Sequence, residues 1–381
     1  MIRERKPLAI YAITKHGIMI AQRLHHGLQD SDVFISAKLI EPARLMPGMS
    51  DALPLSLPMG PTLKQTFTAY DCHVFIISVG AVVRMIAPLL QDKKIDPAIV
   101  CIDDATRFAI CVLSGHVGRG NIFTERVAEV LSAQAVVTTA SDAIGTLTVD
   151  ILGRDLGWQL DDPNRNVTRG CAAVVNAAPV IFVQETGEPT WWPLDKPLPS
   201  GVNYTSSLDG VDPSAFEILL IATDRDLCQS HHSHWANAVI YRPKSLVLGI
   251  GCDRGSTPAM VERGVRTLLE QNRLSIKCIK TVATIDKKSD EAAILELAGR
   301  LGCPVRFYSA AELDNTAGIE NPSVVVKKFV GTRGVAEPAA LRASGAKVLL
   351  LTKQAYTEPG AGRSMTLAVA RIPFSPRLAK E

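Results

Sequence analysis

Apolar residues recur along the first 145 positions in two alternating rhythms. Pro7–Thr14, Val33–Ile40, Val74–Val79, Ile99–Ile102, Phe108–Leu113 and Val136–Thr139 are short, nearly continuous apolar runs, as expected of strands buried on both faces. Between them, His16–Leu28 and the stretch through Val82, Val83, Ile86 and Leu90 have helical spacing. Phe123, Val127, Val130 and Leu131 fall at i, i+4, i+7 and i+8, one face of a further helix. Strands alternating with helices predict a three-layer α/β domain over residues 1–145, with a largely parallel sheet covered on both faces.

The rhythm changes near residue 146. Helical stretches around Val149–Leu156 and Val167–Asn176 precede strand-like Val180–Val183 and Ile218–Ala222. Between the two strands, Trp191, Trp192 and Pro193 sit in Pro- and Gly-rich surroundings. This predicts a smaller α/β middle domain over 146–243 with a long loop. Its tryptophans either offer a ligand a platform or tuck the loop onto the domain.

From Ser245 the alternation resumes. Leu246–Ile250, Ile279–Ile285, Val305–Tyr308, Val348–Leu351 and Met365–Arg371 read as strands. Thr257 before Pro258 starts a helix whose buried face is Val261, Val265, Leu268 and Leu269. Ser289 is placed to cap a helix running through Leu301, Ser309 and Glu312 form a capping-box pattern, and Val335–Ala343 is helical. A second three-layer α/β domain is expected over 244–381.

Composition narrows the class. Of 381 residues, 47% are hydrophobic and only 5% aromatic, so aliphatic side chains must build the cores. A net charge of +3, with Lys and Arg dispersed, gives no electrostatic footprint for nucleic acid. No apolar run reaches the roughly 18 residues of a membrane span. The charged start, Met1 to Lys6, lacks the apolar core and cleavage site of a signal peptide. The eight cysteines show no CxxC spacing. Cys101, Cys111 and Cys278 lie inside apolar runs, which suits a reducing cytoplasm rather than a disulfide framework or zinc cage.

Five loops carry candidate chemistry, and structure alone also explains them apart from Asp286 and Lys287. LSGHVGRGN, with Ser114, Gly115, His116, Arg119 and Asn121, joins a buried strand to a helix N-terminus. Such a place suits carboxylates or an oxyanion, and the spacing is not the dinucleotide GxGxxG. VGAVVR puts Arg84 in what reads as the first turn after Gly80, where an arginine opposes the helix dipole unless it meets an anion. GIGCDRG brings Gly251 and Cys252 to a helix start, with no clear histidine base nearby. ATIDKKSDE places Asp286 and Lys287 at a strand end. GTRGVAE puts Glu337 in a first helical turn, and Lys353 follows the next strand.

Taken in order, VGAVVRMIAPLL, LSGHVGRGN, TTASD, GIGCDRG, ATIDKKSDE, GTRGVAEPAAL and MTLAVAR resemble the cobalt-precorrin-5A hydrolase (CbiG) family from residue 79 to residue 371. The C-terminal part alone also resembles a small stand-alone protein of the aerobic cobalamin pathway. The chain departs from the family pattern at Gly118-Arg119-Gly120-Asn121, at Asp253 and at Pro338.

The resemblance implies a hydrolase that opens the δ-lactone of cobalt-precorrin-5A and releases acetaldehyde to give cobalt-precorrin-5B. It implies no cofactor and no protein metal site, because cobalt arrives with the corrinoid. His116 is then the expected general base, kept neutral by the helix N-terminus. Asp142 or Asp286 orients it or replaces it, and amides around Gly118–Gly120 form an oxyanion hole. Arg84, Arg119 and Lys287 are expected to clamp carboxylates. Gly80, Ser114, Gly115, Asn121, Gly251, Cys252 and Glu337 complete the expected substrate contacts, in a cleft between the N- and C-terminal domains. The expected location is the cytoplasm. The expected partners are the corrinoid and either a second copy or neighbouring pathway enzymes, with no nucleic acid or membrane. A non-catalytic corrinoid handover protein is the alternative. A nucleotide-binding regulator would need a phosphate loop, GxxxxGK[ST], that is not present.

Overall fold

The buried apolar runs become the strands of three sheets in a computed structural model that describes residues 6–227, 236–360 and 362–375. The charged segment Met1–Arg5 and Cys228 lie outside the described residues. The chain divides into two compact units, Met1–Ile151 and Leu152–Glu381.

The first unit holds seven strands: β1 Lys6–Ala12, β2 Ser31–Ser36, β3 Leu53–Leu55, β4 Tyr70–Phe75, β5 Ala98–Ile102, β6 Phe108–Leu113 and β7 Gln134–Val136. Their order across the sheet is β3-β2-β1-β4-β5-β6-β7. One face buries Ile10, Ile35, Val74 and Val100 against Leu24 and Val127, which come from the helices Lys15–Gly27 and Gly120–Leu131. The other buries Tyr11, Phe34 and Phe75 against Leu63, Val82 and Ile86. Each fully buried side chain of this size contributes roughly 1.5–3 kcal/mol by transfer from water.

All neighbours in this sheet are parallel except β5 and β6, which are antiparallel. The reason is local. Only residues 103–107 connect the two strands, far too few for a crossover. Asp103 fixes the turn by accepting the Phe108 amide at 2.7 Å, and Thr106 takes a left-handed φ of 54°. The reversal sends the carboxyl end of β6 to the amino ends of β4 and β5, with Leu113 opposite Ile99.

The second unit contains two sheets. The first comprises β8 Gln159–Leu160, β9 Val180–Gln184, β10 Val202–Thr205, β11 Ile218–Ala222 and β12 Ala238–Arg242, in the order β10-β9-β11-β12-β8. Trp191 is 7% exposed, lies 3.9 Å from the Phe182 ring and donates to Gln184 Oε1 at 2.9 Å. It is core, so the loop is tucked onto the sheet. Of the expected helix Val149–Leu156, only a 3-10 turn, Arg154–Leu156, forms, between Gly153 and Gly157 in left-handed conformation.

The last sheet comprises β13 Leu246–Cys252, β14 Ile279–Ile285, β15 Val305–Tyr308, β16 Leu351–Thr357 and β17 Ser364–Arg371, in the order β15-β14-β13-β17-β16. Here β13, β14 and β15 pair in parallel, and β17 is added antiparallel to both β13 and β16. The last two strands form a hairpin, and β16 begins where the sequence suggested a strand would end. Ser289 does not cap the following helix either. Asp286–Lys288 form a 3-10 turn, and Glu291 occupies the cap of Ala292–Leu301. The Ser309 capping box is present in full. Helix Ala336–Ser344 packs directly on β13, where a Cβ on Gly249 would lie 1.8 Å from the Ala336 carbonyl oxygen.

Candidate functional site

After β6 the chain folds back on itself before helix Gly120–Leu131. Ser114 and Arg119 take left-handed backbone, with φ of 57° and 62°. The loop is tight enough to need its glycines: a Cβ on Gly115 would meet Asn121 Oδ1 at 2.7 Å, and one on Gly120 the Leu113 carbonyl at 2.7 Å. The amides of Arg119, Gly120 and Asn121 donate to the carbonyls of His116, Ser114 and Gly115 at 2.9–3.0 Å. Those amides are therefore spent inside the loop and do not form the expected oxyanion hole. Ser114 is likewise used, its hydroxyl donating to the Asp96 carbonyl at 3.0 Å.

What the loop presents is the His116 ring, between two carboxylates. Its Nε2 lies 3.0 Å from Asp142 Oδ2 and 3.1 Å from the Ser141 hydroxyl, and its Nδ1 lies 3.3 Å from Asp150 Oδ2. Asp142 and Ser141 come from the short helix Ala140–Ile144, which follows β7, the parallel neighbour of β6. Asp142 Oδ2 also accepts from Asn121 Nδ2 at 2.7 Å and from Thr139 Oγ1 at 2.6 Å. TTASD and LSGHVGRGN thus form one cluster.

An ionised carboxylate only accepts hydrogen bonds. A neutral ring would point one nitrogen lone pair at an oxygen anion, whereas imidazolium donates at both ends. The ring's pKa is accordingly raised. The Asp150 hydrogen bond is the largest cause; burial opposes it, and the Asp150 charge, the Asp142 hydrogen bond and the Asp142 charge add to it. This reverses the expectation of a ring held neutral by the helix dipole. Arg119, not His116, occupies the helix cap, and two full charges outweigh a partial one.

Asp150 is the residue that sequence reasoning missed. The available signal was an aspartate eight positions after Asp142, in TVDI, on a segment that pattern alone read as helix. Asp150 Oδ1 and Asn121 Oδ1 are buried without a hydrogen-bond partner, so the cluster retains acceptor capacity. Asp286 lies in the second unit. It caps its own turn, accepting the Lys287 amide at 2.7 Å.

Gly80 and Arg84 belong elsewhere. They follow the carboxyl end of β4, whereas His116 follows a strand running the other way, so the two motifs lie beyond opposite ends of the strands. The helix also begins at Val79 instead of Val82. Arg84 therefore sits in its last turn, where the dipole favours a cation, and it donates to the Gly80 carbonyl at 3.0 Å. The anion argument for Arg84 does not survive.

Three further motifs converge in the C-terminal sheet, around a cavity of about 530 Å³. Gly251, Cys252 and Arg254 arrive from the end of β13, Lys287 and Lys288 from the end of β14, and Gly334 and Val335 from the GTRGVAE loop. Lys353 joins them from β16. Burial pushes the Cys252 thiol up, with Lys288 pulling the other way, so it lines the cavity as a neutral group.

Glu337 does not face this cavity. It is 1% exposed and accepts the amides of Glu320, Asn321 and Lys353 and the Asn321 side chain at 2.8–2.9 Å. Its role is to anchor the cavity wall. Burial raises its pKa, but the Asn321 and Lys353 amides outweigh that and leave it lowered. A depressed carboxylate stabilises the fold above its unfolded value, about 4.3, and that stability is lost as pH falls through the lower folded value. Glu337→Gln removes the charge and turns a donor toward donors. It is expected to cost about 3 kcal/mol in urea unfolding at neutral pH, and less at pH 3. An equal loss at both pH values would refute the charge-based account.

Among the described residues, no group of three or more His, Cys, Asp or Glu side chains is arranged to hold a metal ion, and no helix is long and apolar enough to cross a membrane.

Three family models match successive parts of the chain: Cobalamin synthesis G N-terminal over residues 61–142, Cobalamin biosynthesis central region over 147–243, and Cobalamin synthesis G C-terminus over 246–370. A cobalt-precorrin-5A hydrolase of Priestia megaterium is 40% identical over 376 residues, covering 98% of this chain and 97% of its own. A second, from Salmonella typhimurium, is 28% identical and covers 95% of this chain and 97% of its own. Protein CobE of a Sinorhizobium species is 34% identical over 110 residues, 29% of this chain and 71% of its own.

Proposed function

The chain belongs to the cobalamin synthesis G (CbiG) family, and we propose that it is a hydrolase that opens the δ-lactone of cobalt-precorrin-5A and releases acetaldehyde, leaving cobalt-precorrin-5B. The observation that carries the catalytic part is the His116 ring held between Asp142 and Asp150.

Lactone opening needs water to add to the carbonyl and the ring C–O bond to break, with a proton delivered to the departing oxygen. An imidazolium is matched to that delivery. The proton lost by water goes to a carboxylate, and Asp150, with one oxygen free of hydrogen bonds, is assigned this task. Once His116 has given its proton, it is a neutral base beside the new hydroxyl. It then withdraws that proton as the adjacent C–C bond breaks. The hydroxyl carbon leaves as acetaldehyde, and the electron pair stays with the macrocycle. Acid and base roles follow one another on one ring, and the atoms balance. Cobalt is part of the substrate throughout.

The test is anaerobic incubation of the purified protein with cobalt-precorrin-5A, assaying acetaldehyde while following the corrinoid by mass. One acetaldehyde per corrinoid consumed is the expected result. Corrinoid binding without acetaldehyde would instead mark a handover protein, and the absence of both would end the reading.

A further inference from the structure

The C-terminal cavity has the chemistry of a carboxylate site, although no acid–base pair lies in it. Four basic side chains, Arg254, Lys287, Lys288 and Lys353, line it against a single carboxylate, Asp253. That carboxylate is already engaged, accepting the Ser364 amide and hydroxyl at 2.6 and 3.0 Å. Arg254 is paired with Asp290, and Lys288 with Glu291, which is 5% exposed.

Lys287 and Lys353 differ from these two. Each ammonium reaches only a backbone carbonyl, Val330 at 3.2 Å and Asn321 at 2.9 Å. Neither makes an ion pair within the described residues. Two ammonium groups that make no ion pair among the described residues therefore meet at one cavity, whose lining carries four cations and one carboxylate.

Both groups are also held in place. The amide of Lys353 is fixed by buried Glu337, and Lys287 rises from the turn Asp286–Lys288 at the end of β14. Glu337 is thus a positioning residue for Lys353. Between the cations the walls are apolar, from Ile285, Val326, Val330, Val335 and Met365. A cavity of about 530 Å³ falls within the usual range for small ligands, roughly 300–1,000 Å³.

We infer that this cavity is a second, non-catalytic subsite that takes one edge of a corrinoid ring, with the apolar walls against the ring and Lys287 and Lys353 ion-paired to its peripheral carboxylates. It rests on the proposed function for the identity of the ring. The basic lining and the apolar walls stand without it.

The experiment uses the full chain and two probes: cobyrinic acid, whose peripheral carboxylates are free, and the same corrin with those groups amidated. Binding is read by the change in the corrin absorption spectrum. The acid is expected to bind the unaltered protein at least tenfold more tightly than the amide. In the Lys287→Ala/Lys353→Ala double variant the acid should lose about a hundredfold, tenfold for each contact, while the amide changes little. Lys287→Arg/Lys353→Arg should restore most of the loss. Raising the salt concentration should weaken the acid alone.

Equal binding of acid and amide to the unaltered protein overturns the subsite, as does unchanged acid binding in the double alanine variant. The outcomes also separate the two readings. Acetaldehyde release with an unmoved KM in the double variant sinks the subsite and leaves the hydrolase. Lysine-dependent binding of the acid without acetaldehyde release from cobalt-precorrin-5A sinks the hydrolase and leaves the subsite.

Discussion

Replacing His116 with alanine should lower acetaldehyde release by about a hundred- to ten-thousand-fold, the span over which a positioned acid–base group acts. The ring is 19% exposed at the end of a loop closed by its own backbone, so the fold should survive the change and the loss should fall on turnover. The pH dependence follows from the raised pKa of the ring. The imidazolium needed for the first proton transfer persists above the ordinary histidine value, about 6.5, and activity falls as pH rises through the folded value. The pairing energy has the same sense: it is fully present below the unfolded pKa and is lost as pH rises through the raised one. Asp142→Asn removes one of the two charges that hold the proton. Its alkaline limb should therefore move toward lower pH, while a residue with a merely structural role would reduce the rate without moving the limb. Turnover equal to the unaltered protein in His116→Ala, or an unmoved limb in Asp142→Asn, would remove the ring from the proposed mechanism.

How far the site was legible in sequence depended on strand direction. His116, Asn121 and Asp142 are set by motifs close in the chain, and their meeting follows from β6 and β7 lying side by side in parallel. The reversal at β6 was written in the five-residue connection after Ile102, yet two equally apolar runs give no sign of relative direction by periodicity alone. That one reversal put Gly80 and Arg84 at the opposite end of the strands from His116. The charge state of His116 was misjudged for a related reason. Sequence shows the helix that follows but not the carboxylates that fold back, and Asp150 arrives from a segment whose apolar spacing imitates a helix. Glu337 misled in the opposite direction. A glutamate in a first helical turn was expected to contact the substrate, and only tertiary contacts show four donors closing over it. Strand positions were clearest where both faces are buried, as in β5, β11 and β14, and poorest in β16, whose half-exposed residues carry no continuous apolar run.

Replacing Asp224 with alanine should cost the second unit about 2–3 kcal/mol, below the roughly 3–5 kcal/mol of a fully buried pair because the Arg371 side chain is 35% exposed. Asp224 follows β11 of the middle sheet and is fully buried. Its carboxylate accepts two bonds from the Arg371 guanidinium, at 2.6 and 2.7 Å, and one from the Ser245 hydroxyl at 3.0 Å. Arg371 ends β17 and Ser245 precedes β13, so this one side chain ties the middle sheet to two strands of the C-terminal sheet. The forked geometry matters because a guanidinium presents two donors at fixed spacing, which the carboxylate meets with both oxygens. Alanine removes the forked partner of Arg371, whose side chain is 35% exposed, and leaves only the weaker attraction of Glu185. Asp224→Asn keeps the volume but faces an amide donor toward the guanidinium, so it should be nearly as damaging. Replacing both partners, as in Asp224→Leu/Arg371→Met, removes the stranded charge and should recover much of the loss, although it cannot restore the fixed angle between the sheets. Urea unfolding of the full chain, followed by far-ultraviolet circular dichroism and by tryptophan fluorescence, separates the cases. Trp158 and Trp191 are buried in the middle sheet's own core, so they report on that sheet directly. In Asp224→Ala the fluorescence transition should move to lower urea and part from the dichroism transition. Coincident transitions at the original midpoint would mean that the apolar contacts alone hold the two sheets together.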